Sequence, residues 1–277
     1  METNSEVVYF ARLVEALEPW LDQVVVIGGW AHRLYRAHPL AQPLDYEPLG
    51  TFDADVAMPS QLPSTAERIR ERLLDKGFKE DLKGDTQPPV VHYFVGAGNS
   101  GFFAEFLTPL IGSEVNREGR RNITERISGI TAQKLRHLEL LLESPWEVSI
   151  SPANGFPISS VRRIRIPNPA AFLAQKILIH EKRDRAKRAK DILYIHDTIE
   201  TFGGNLAPIR DLWHSQVKLA LRTNSLRQID RAADKYFLTV SDTLREAARI
   251  ATGRNLTPEM VREVCWHGWS QIFSAIR

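Results

Sequence analysis

Thiols are nearly absent from this chain. Cys265 is the single cysteine in 277 residues, which excludes an internal disulfide framework and zinc clusters built on paired thiolates. Long apolar runs are also missing; none approaches the roughly 20 residues that a membrane-spanning helix needs. The opening Met1-Glu2-Thr3-Asn4-Ser5-Glu6 lacks the basic and apolar regions of a secretory leader. These absences together set the expectation of a reducing, cytoplasmic setting with no membrane partner. Charge of one sign is equally scarce. Lys and Arg total 36 against 34 Asp and Glu, a formal net charge of +2, so any affinity for nucleic acid must come from a local patch. The eight histidines show no His-Glu-x-x-His spacing, and neither a Gly-x-Ser-x-Gly elbow nor a Walker-type loop occurs. What is present is 43% hydrophobic and 25% charged, enough to build a sizeable core in one large domain or two modest ones.

Periodicity orders the elements. Residues 7–17 read as a helix with Val8, Leu13, Val14 and Leu17 on its apolar face. Val24-Val25-Val26-Ile27 is a β-branched run of buried-strand type, punctuated by Gly28-Gly29, and residues 30–36 read as a helix. Residues 37–48 hold Pro39, Pro43 and Pro48 and read as a loop; residues 52–58 alternate apolar and acidic side chains, a strand pattern. Ser64 and Glu67 form a candidate capping box for a helix with Ile69, Leu73 and Leu74 inward and Gly77 as its stop. Residues 90–95 and 101–107 read as strands joined by a turn, residues 116–122 as exposed, and residues 131–142 as helix. Residues 146–150 and 161–166 read as short strands. After Pro167-Asn168-Pro169 only helical patterns follow, over 170–199, 208–224, 226–252 and 257–276. The expectation is an α+β chain: a mixed sheet flanked by helices over 1–166, then a helical domain over 167–277.

The chemistry sits on carboxylates. In a strand, residues two apart share a face about 6–7 Å from each other. Asp53 and Asp55 therefore project together, with Phe52, Ala54 and Val56 turned toward the core. Two like charges so placed repel unless a cation lies between them; alone, the pair also fits the solvated face of an edge strand. Two further features shift the balance. Gly28-Gly29 at a strand-to-helix turn lets backbone N–H groups approach an anion. Glu105 is a lone carboxylate in the apolar run Phe102-Phe103-Ala104-Glu105-Phe106-Leu107, so it requires solvent, an arginine or a metal. If its strand lies beside that of Asp53, three carboxylates converge on a site for two metal ions, and the third acid can take a proton from an attacking hydroxyl.

A glycine turn at a helix start, an Asp-x-Asp on the next strand and a third acid on a later strand make this chain resemble the nucleotidyltransferase superfamily, the DNA polymerase β-like fold. Gly28-Gly29-Trp30-Ala31 is similar to the turn of aminoglycoside and lincosamide nucleotidyltransferases. The stretch from Pro167 to Lys176, and Arg183-Asp184-Arg185-Ala186-Lys187-Arg188-Ala189-Lys190-Asp191, resemble AbiEii-type, toxin-associated members, which carry a lysine early in the first helix of the helical domain and a later Lys-Asp pair. The resemblance covers roughly residues 20–200. Two departures stand out: the superfamily's Gly-Ser is Gly28-Gly29 here, and the interval from Gly29 to Asp53 is long.

The resemblance implies a magnesium-dependent transfer of NMP from an NTP to a hydroxyl on RNA, protein or a small molecule, with release of pyrophosphate. Asp53, Asp55 and Glu105 would hold two Mg2+ ions, and the triphosphate would lie near Gly28, Gly29 and Lys176, between the two domains. A toxin-like role on a tRNA end or a protein, with an antitoxin partner, follows from the AbiEii-like half by analogy. A silent protein that keeps the fold to bind a nucleotide or partner is the rival. In a single helix over 170–199, Lys176, His180, Arg183, Lys187 and Lys190 make one face. That face is either a solvated surface or a cationic wall for phosphates, which Arg120-Arg121 and Arg162, Arg163 and Arg165 would extend. His32 reads as a surface histidine and Cys265 as packed beside Trp266 and Trp269.

Overall fold

The computed structural model describes residues 5–63, 67–83, 89–96, 101–115, 118–119 and 121–274. The chain divides into two compact units, Met1–Ala37 with Gly50–Pro167, and His38–Leu49 with Asn168–Arg277. The architecture is mixed α+β: the sheets lie in the first unit, and the regular elements of the second are helical among the described residues. No described helix is long and apolar enough to cross a membrane.

The first unit opens with α1 (Ser5–Ala16), followed by β1 (Val25–Ile27), α2 (Gly28–Leu34), β2 (Asp53–Ala57), α3 (Ile69–Asp75), β3 (Lys79–Lys83), β4 (Val90–Val95) and β5 (Phe102–Pro109). Then come β6 (Thr124–Ile127), β7 (Ile130–Leu135), α4 (Glu139–Leu142), β8 (Trp146–Ile150) and β9 (Arg162–Ile166). The main sheet runs β1-β2-β5-β4-β3. β5 lies parallel to β2 on one side; on the other, its first half pairs with β4 and its second half with β7, which pairs with β6. β8 and β9 form a separate hairpin. The edge strand β3 carries Lys79 and Lys83, charges that discourage pairing with another chain.

One face of the sheet packs on aromatic rings. Phe10 of α1 stacks on Trp30 of α2 with centroids 3.8 Å apart, and Trp30 meets Phe102 of β5 edge-on at 6.3 Å. Ala54, Val56, Ala104 and Phe106 are buried. The strand period then forces Asp53, Asp55, Phe103 and Glu105 onto the opposite face. Further along that face, Ala57 and Leu107 are sealed with Val25 and Ile27 by Leu138 and Leu141. The acids therefore lie where one face of β2 and β5 emerges from under an apolar cover.

Several sequence expectations change. Residues 131–142 do not form one helix: β7 takes Ile130–Leu135 and only Glu139–Leu142 is helical. Ser128 and Gly129, at φ 47° and 81°, form the two-residue turn between β6 and β7, and two positive φ angles mark the type I′ hairpin geometry. Phe52 is 45% exposed rather than inward, and Leu74 lies at the surface while Ile69 and Leu73 are buried. Ser64 of the expected capping box lies outside the described residues, as do residues 97–100 of the expected turn and Arg120.

In the second unit the expected helix over 170–199 is two: α5 (Pro169–His180) and α6 (Arg185–Thr201). Each starts on its own cap. Asn168 Oδ1 accepts from Ala171 N at 2.9 Å with Pro169 in the first turn, and Asp184 Oδ1 accepts from Lys187 N at 2.9 Å. The Asp184 cap stops α5 from running on. α7 (Ala207–Ser215), α8 (Thr223–Asp230), α9 (Asp242–Ile250) and α10 (Pro258–Phe273) complete the unit; after a π-helical turn at Ala233–Phe237, the non-helical residues 238–241, with Ser241 capping α9, break the helix expected over 226–252. The segment 38–49 carries no helix or strand. It is held within this unit by Gln42, whose N donates to Thr201 O at 2.8 Å and whose Nε2 donates to Glu200 O at 2.7 Å.

Candidate active site

β1 pairs antiparallel with β2 so that Ile27 stands opposite Asp55. The next residue is Gly28, with φ +66°. A Cβ there would run into the Asp55 carboxylate, meeting Oδ2 first and Cγ at 3.3 Å. Gly28 thus has two reasons to be glycine: a left-handed backbone, and a carboxylate lying against its Cα. The glycine at this strand-to-helix turn creates the space in which Asp55 sits.

β2 and β5 are parallel and in register, with Asp53 opposite Phe103 and Asp55 opposite Glu105. Register partners in a pleated pair point to the same side, so Asp53, Asp55 and Glu105 share one face. All three are half-buried. Each also has a neighbour that orients it. Thr51 Oγ1 donates to Asp53 Oδ1 and lies 3.3 Å from Asp53 O. Asp55 lies on Gly28. Glu105 Oε1 is 2.9 Å from His92 Nε2, across the β4–β5 pairing one step beyond Tyr93–Ala104. The His92 ring stacks on Phe103 with centroids 5.5 Å apart and planes 6° from parallel.

The donor set is hard oxygen on a half-open face, the chemistry that suits magnesium with phosphate and water completing its shell. The ligand oxygens of the three acids do not all lie within 4.8 Å of one another. The described residues whose ligand atoms do lie within 4.8 Å of one another are His196, Asp197 and Glu200, in the second unit. That group already contains a cation. Arg254 Nη1 donates to Asp197 Oδ1 at 2.8 Å and its guanidinium lies 3.6 Å from the Tyr46 ring centroid, while Tyr46 Oη donates to Glu200 Oε2 at 2.5 Å. Burial, reinforced by Asp197, pushes the Tyr46 phenol far up, so it stays a neutral donor. This is a buried ion-pair network anchored by arginine.

The basic residues do not form one helical wall, because the break at 181–184 separates them. Lys176 is 5% exposed and its Nζ is 2.7 Å from Asp191 Oδ1, with the Phe172 and Tyr194 rings at 5.2 and 5.1 Å. Arg183 Nε lies 3.2 Å from the other Asp191 oxygen. Lys187 is exposed and pairs with Asp184 at 3.5 Å; Lys190 lies over Tyr194 at 5.5 Å. His180 is buried, which pushes its imidazole pKa down. Arg162 pairs with Glu18 at 2.8 Å and Arg165 donates to the Asp22 carbonyl, so these two hold the β8–β9 hairpin in the first unit. His32 is 2% exposed, not a surface residue, and Cys265 is fully buried with its thiol pKa raised by burial.

Sequence reasoning missed Thr51 and His92. The signal for His92 was present: a hairpin that pairs Val95 with Phe102 also sets His92 opposite Glu105. The Arg254–Tyr46–Asp197 network had no such signal, since its members are far apart in the chain.

The mixed sheet thus offers an Asp-x-Asp pair and a third carboxylate on one face, beside a glycine turn. The nucleotidyltransferase family model matches residues 5–218, and the chain belongs to that family. No curated protein and no solved structure matches it.

Proposed function

We propose that the protein transfers NMP from an NTP to a hydroxyl acceptor with magnesium, through Asp53, Asp55 and Glu105. The observation that carries this reading is the register of β2 on β5, which sets Asp55 opposite Glu105 with Asp53 on the same face. Two divalent cations, when bound, stabilise charge on the entering and leaving oxygens of an in-line displacement. Asp53 and Asp55 would hold both ions. Glu105 would hold one and orient or deprotonate the acceptor hydroxyl. Gly28 leaves the room in which Asp55 sits, and Gly28 and Gly29 would meet the phosphates through their backbone N–H groups. For Arg183, Lys187 and Lys190 the proposed role is contact with nucleotide phosphates; Lys176, 5% exposed and paired with Asp191, is instead a structural cation of its helix pair.

The acceptor we favour is RNA, such as a tRNA end, or a protein hydroxyl, in a toxin-like setting with an antitoxin. The support is the AbiEii-like order of Lys176 and the later Lys190-Asp191. The test is incubation with each α-labelled NTP and Mg2+, alone and with total RNA or cell protein. Label transfer that chelation and Asp53→Ala or Asp55→Asn both abolish is the expected result. Tight nucleotide binding with no transfer under any condition overturns the enzyme reading in favour of a silent nucleotide-binding protein. A small-molecule product with unlabelled RNA and protein overturns the macromolecular acceptor alone.

A further inference from the structure

We propose that His92 is a positioning residue for Glu105, occupying one carboxylate oxygen so that the third acid offers a divalent cation only the other. The inference rests on the metal reading of Asp53, Asp55 and Glu105 and deepens it.

A glutamate on a half-open strand face has two ways to serve a site badly. It can swing toward water, losing the site altogether, or it can chelate a cation through both oxygens. The second mode suits calcium, which accepts two-oxygen carboxylates in a loose shell, and suits magnesium poorly, because magnesium demands near-octahedral geometry. His92 restrains both. Its Nε2 lies 2.9 Å from Glu105 Oε1, within hydrogen-bonding distance, which leaves Oε2 as the oxygen on offer.

The imidazole is itself held in two ways. Its Cα is placed by the β4–β5 pairing that sets Tyr93 opposite Ala104 and Phe94 opposite Phe103. Its ring lies flat on Phe103 at 5.5 Å, and Phe103 stands opposite Asp53. The stack therefore ties the orientation of Glu105 to the strand that carries the aspartates. A histidine placed only for packing would not need to bring a ring nitrogen within 2.9 Å of the one acid of β5.

The test compares the full-length protein with His92→Phe, which keeps the ring stack and strand preference but has no N–H, and with His92→Gln, whose amide restores a donor. Mn2+ binding is read from the loss of the free-ion electron paramagnetic resonance signal, and Mg2+ and Ca2+ are titrated as competitors. The expected result is Mn2+ binding that Asp55→Asn abolishes, weakened about tenfold in His92→Phe, the scale usual when a partner of a metal ligand is removed. The preference for Mg2+ over Ca2+ should narrow in His92→Phe, and His92→Gln should recover most of both losses. A merely structural role moves stability and leaves the Mg2+/Ca2+ ratio alone. Unchanged Mn2+ affinity and unchanged ion preference in a folded His92→Phe overturn the positioning role while the metal reading stands. Wild-type protein with no aspartate-dependent Mn2+ binding overturns both. Should His92→Phe fail to fold, Phe103→Leu carries the test. It removes the surface under the ring, and an unaltered Mg2+/Ca2+ ratio there overturns the proposal equally.

Discussion

Replacing Gly28 by alanine separates the two demands on that position, and Gly77 supplies the matched control. Gly28 and Gly77 have φ +66° and +83°. A side chain in the left-handed region costs about 1–2 kcal/mol at either site. At Gly77 a Cβ meets nothing within 4 Å, whereas at Gly28 it meets Asp55 Oδ2 and Cγ. Asp55 can yield by rotating, at a further cost of about 0.5–1.5 kcal/mol for an off-rotamer side chain. Gly28→Ala should therefore lose about 2–3 kcal/mol. For a unit of this size that corresponds to roughly 4–12 °C in melting temperature. Function should suffer more than stability, because the rotation that relieves the clash takes Asp55 out of the site, and small misplacements of a catalytic group cost on the order of 100-fold. The assay is thermal and urea denaturation of Gly28→Ala and Gly77→Ala in the wild-type and Asp55→Ala backgrounds, together with Mn2+ binding. In the Asp55→Ala background the extra cost at Gly28 should vanish, leaving the two glycines alike. Equal costs for Gly28→Ala with and without Asp55, or full metal affinity in Gly28→Ala, would refute the reasoning.

Lys176→Met should destabilise the second unit by about 3 kcal/mol, near the low end for a broken buried pair because Arg183 still faces Asp191; urea denaturation reads this, and Asp191→Leu in the same chain should recover most of it. Glu181 is held at a pKa of about 2 by hydrogen bonds from Lys235 and Tyr236. Because the folded pKa is depressed, its contribution is complete above the ordinary glutamate range and is lost as pH falls toward 2. Glu181→Gln should then cost less than about 1 kcal/mol at neutral pH, given its exposure, and nothing near pH 2, as read by pH-dependent melts. Cys265 should be inert to aromatic disulfide reagents in the native protein and react fully in denaturant, because it is 0% exposed with a raised pKa.

Much of this molecule was legible one residue at a time. The β-branched run into Gly28-Gly29, the alternation at Asp53 and Asp55, the apolar strand around Glu105 and the Pro167-Asn168-Pro169 punctuation each carry a local rule of backbone geometry or burial. Those rules set the order of elements and the strands on which the proposed acids stand. Where local rules competed, the reading erred. Residues 131–135 have apolar content that suits helix or strand equally, and the positive φ angles of Ser128 and Gly129 turned them into a hairpin. The charges from Lys176 to Lys190 fit one helical face only until the Asp184 cap ended it.

Pairing across the chain belongs to the tertiary structure alone. The register that sets Asp55 against Glu105, the contact of Asp55 with Gly28, and the grip of Asp191 on both Lys176 and Arg183 join residues 8 to 50 positions apart. Local propensity is indifferent to such distances. Amino-acid order determined which groups carry charge and which strands carry them; the packed sheet decided which oxygen faces which neighbour, because a one-residue slip in register turns every acid to the other side.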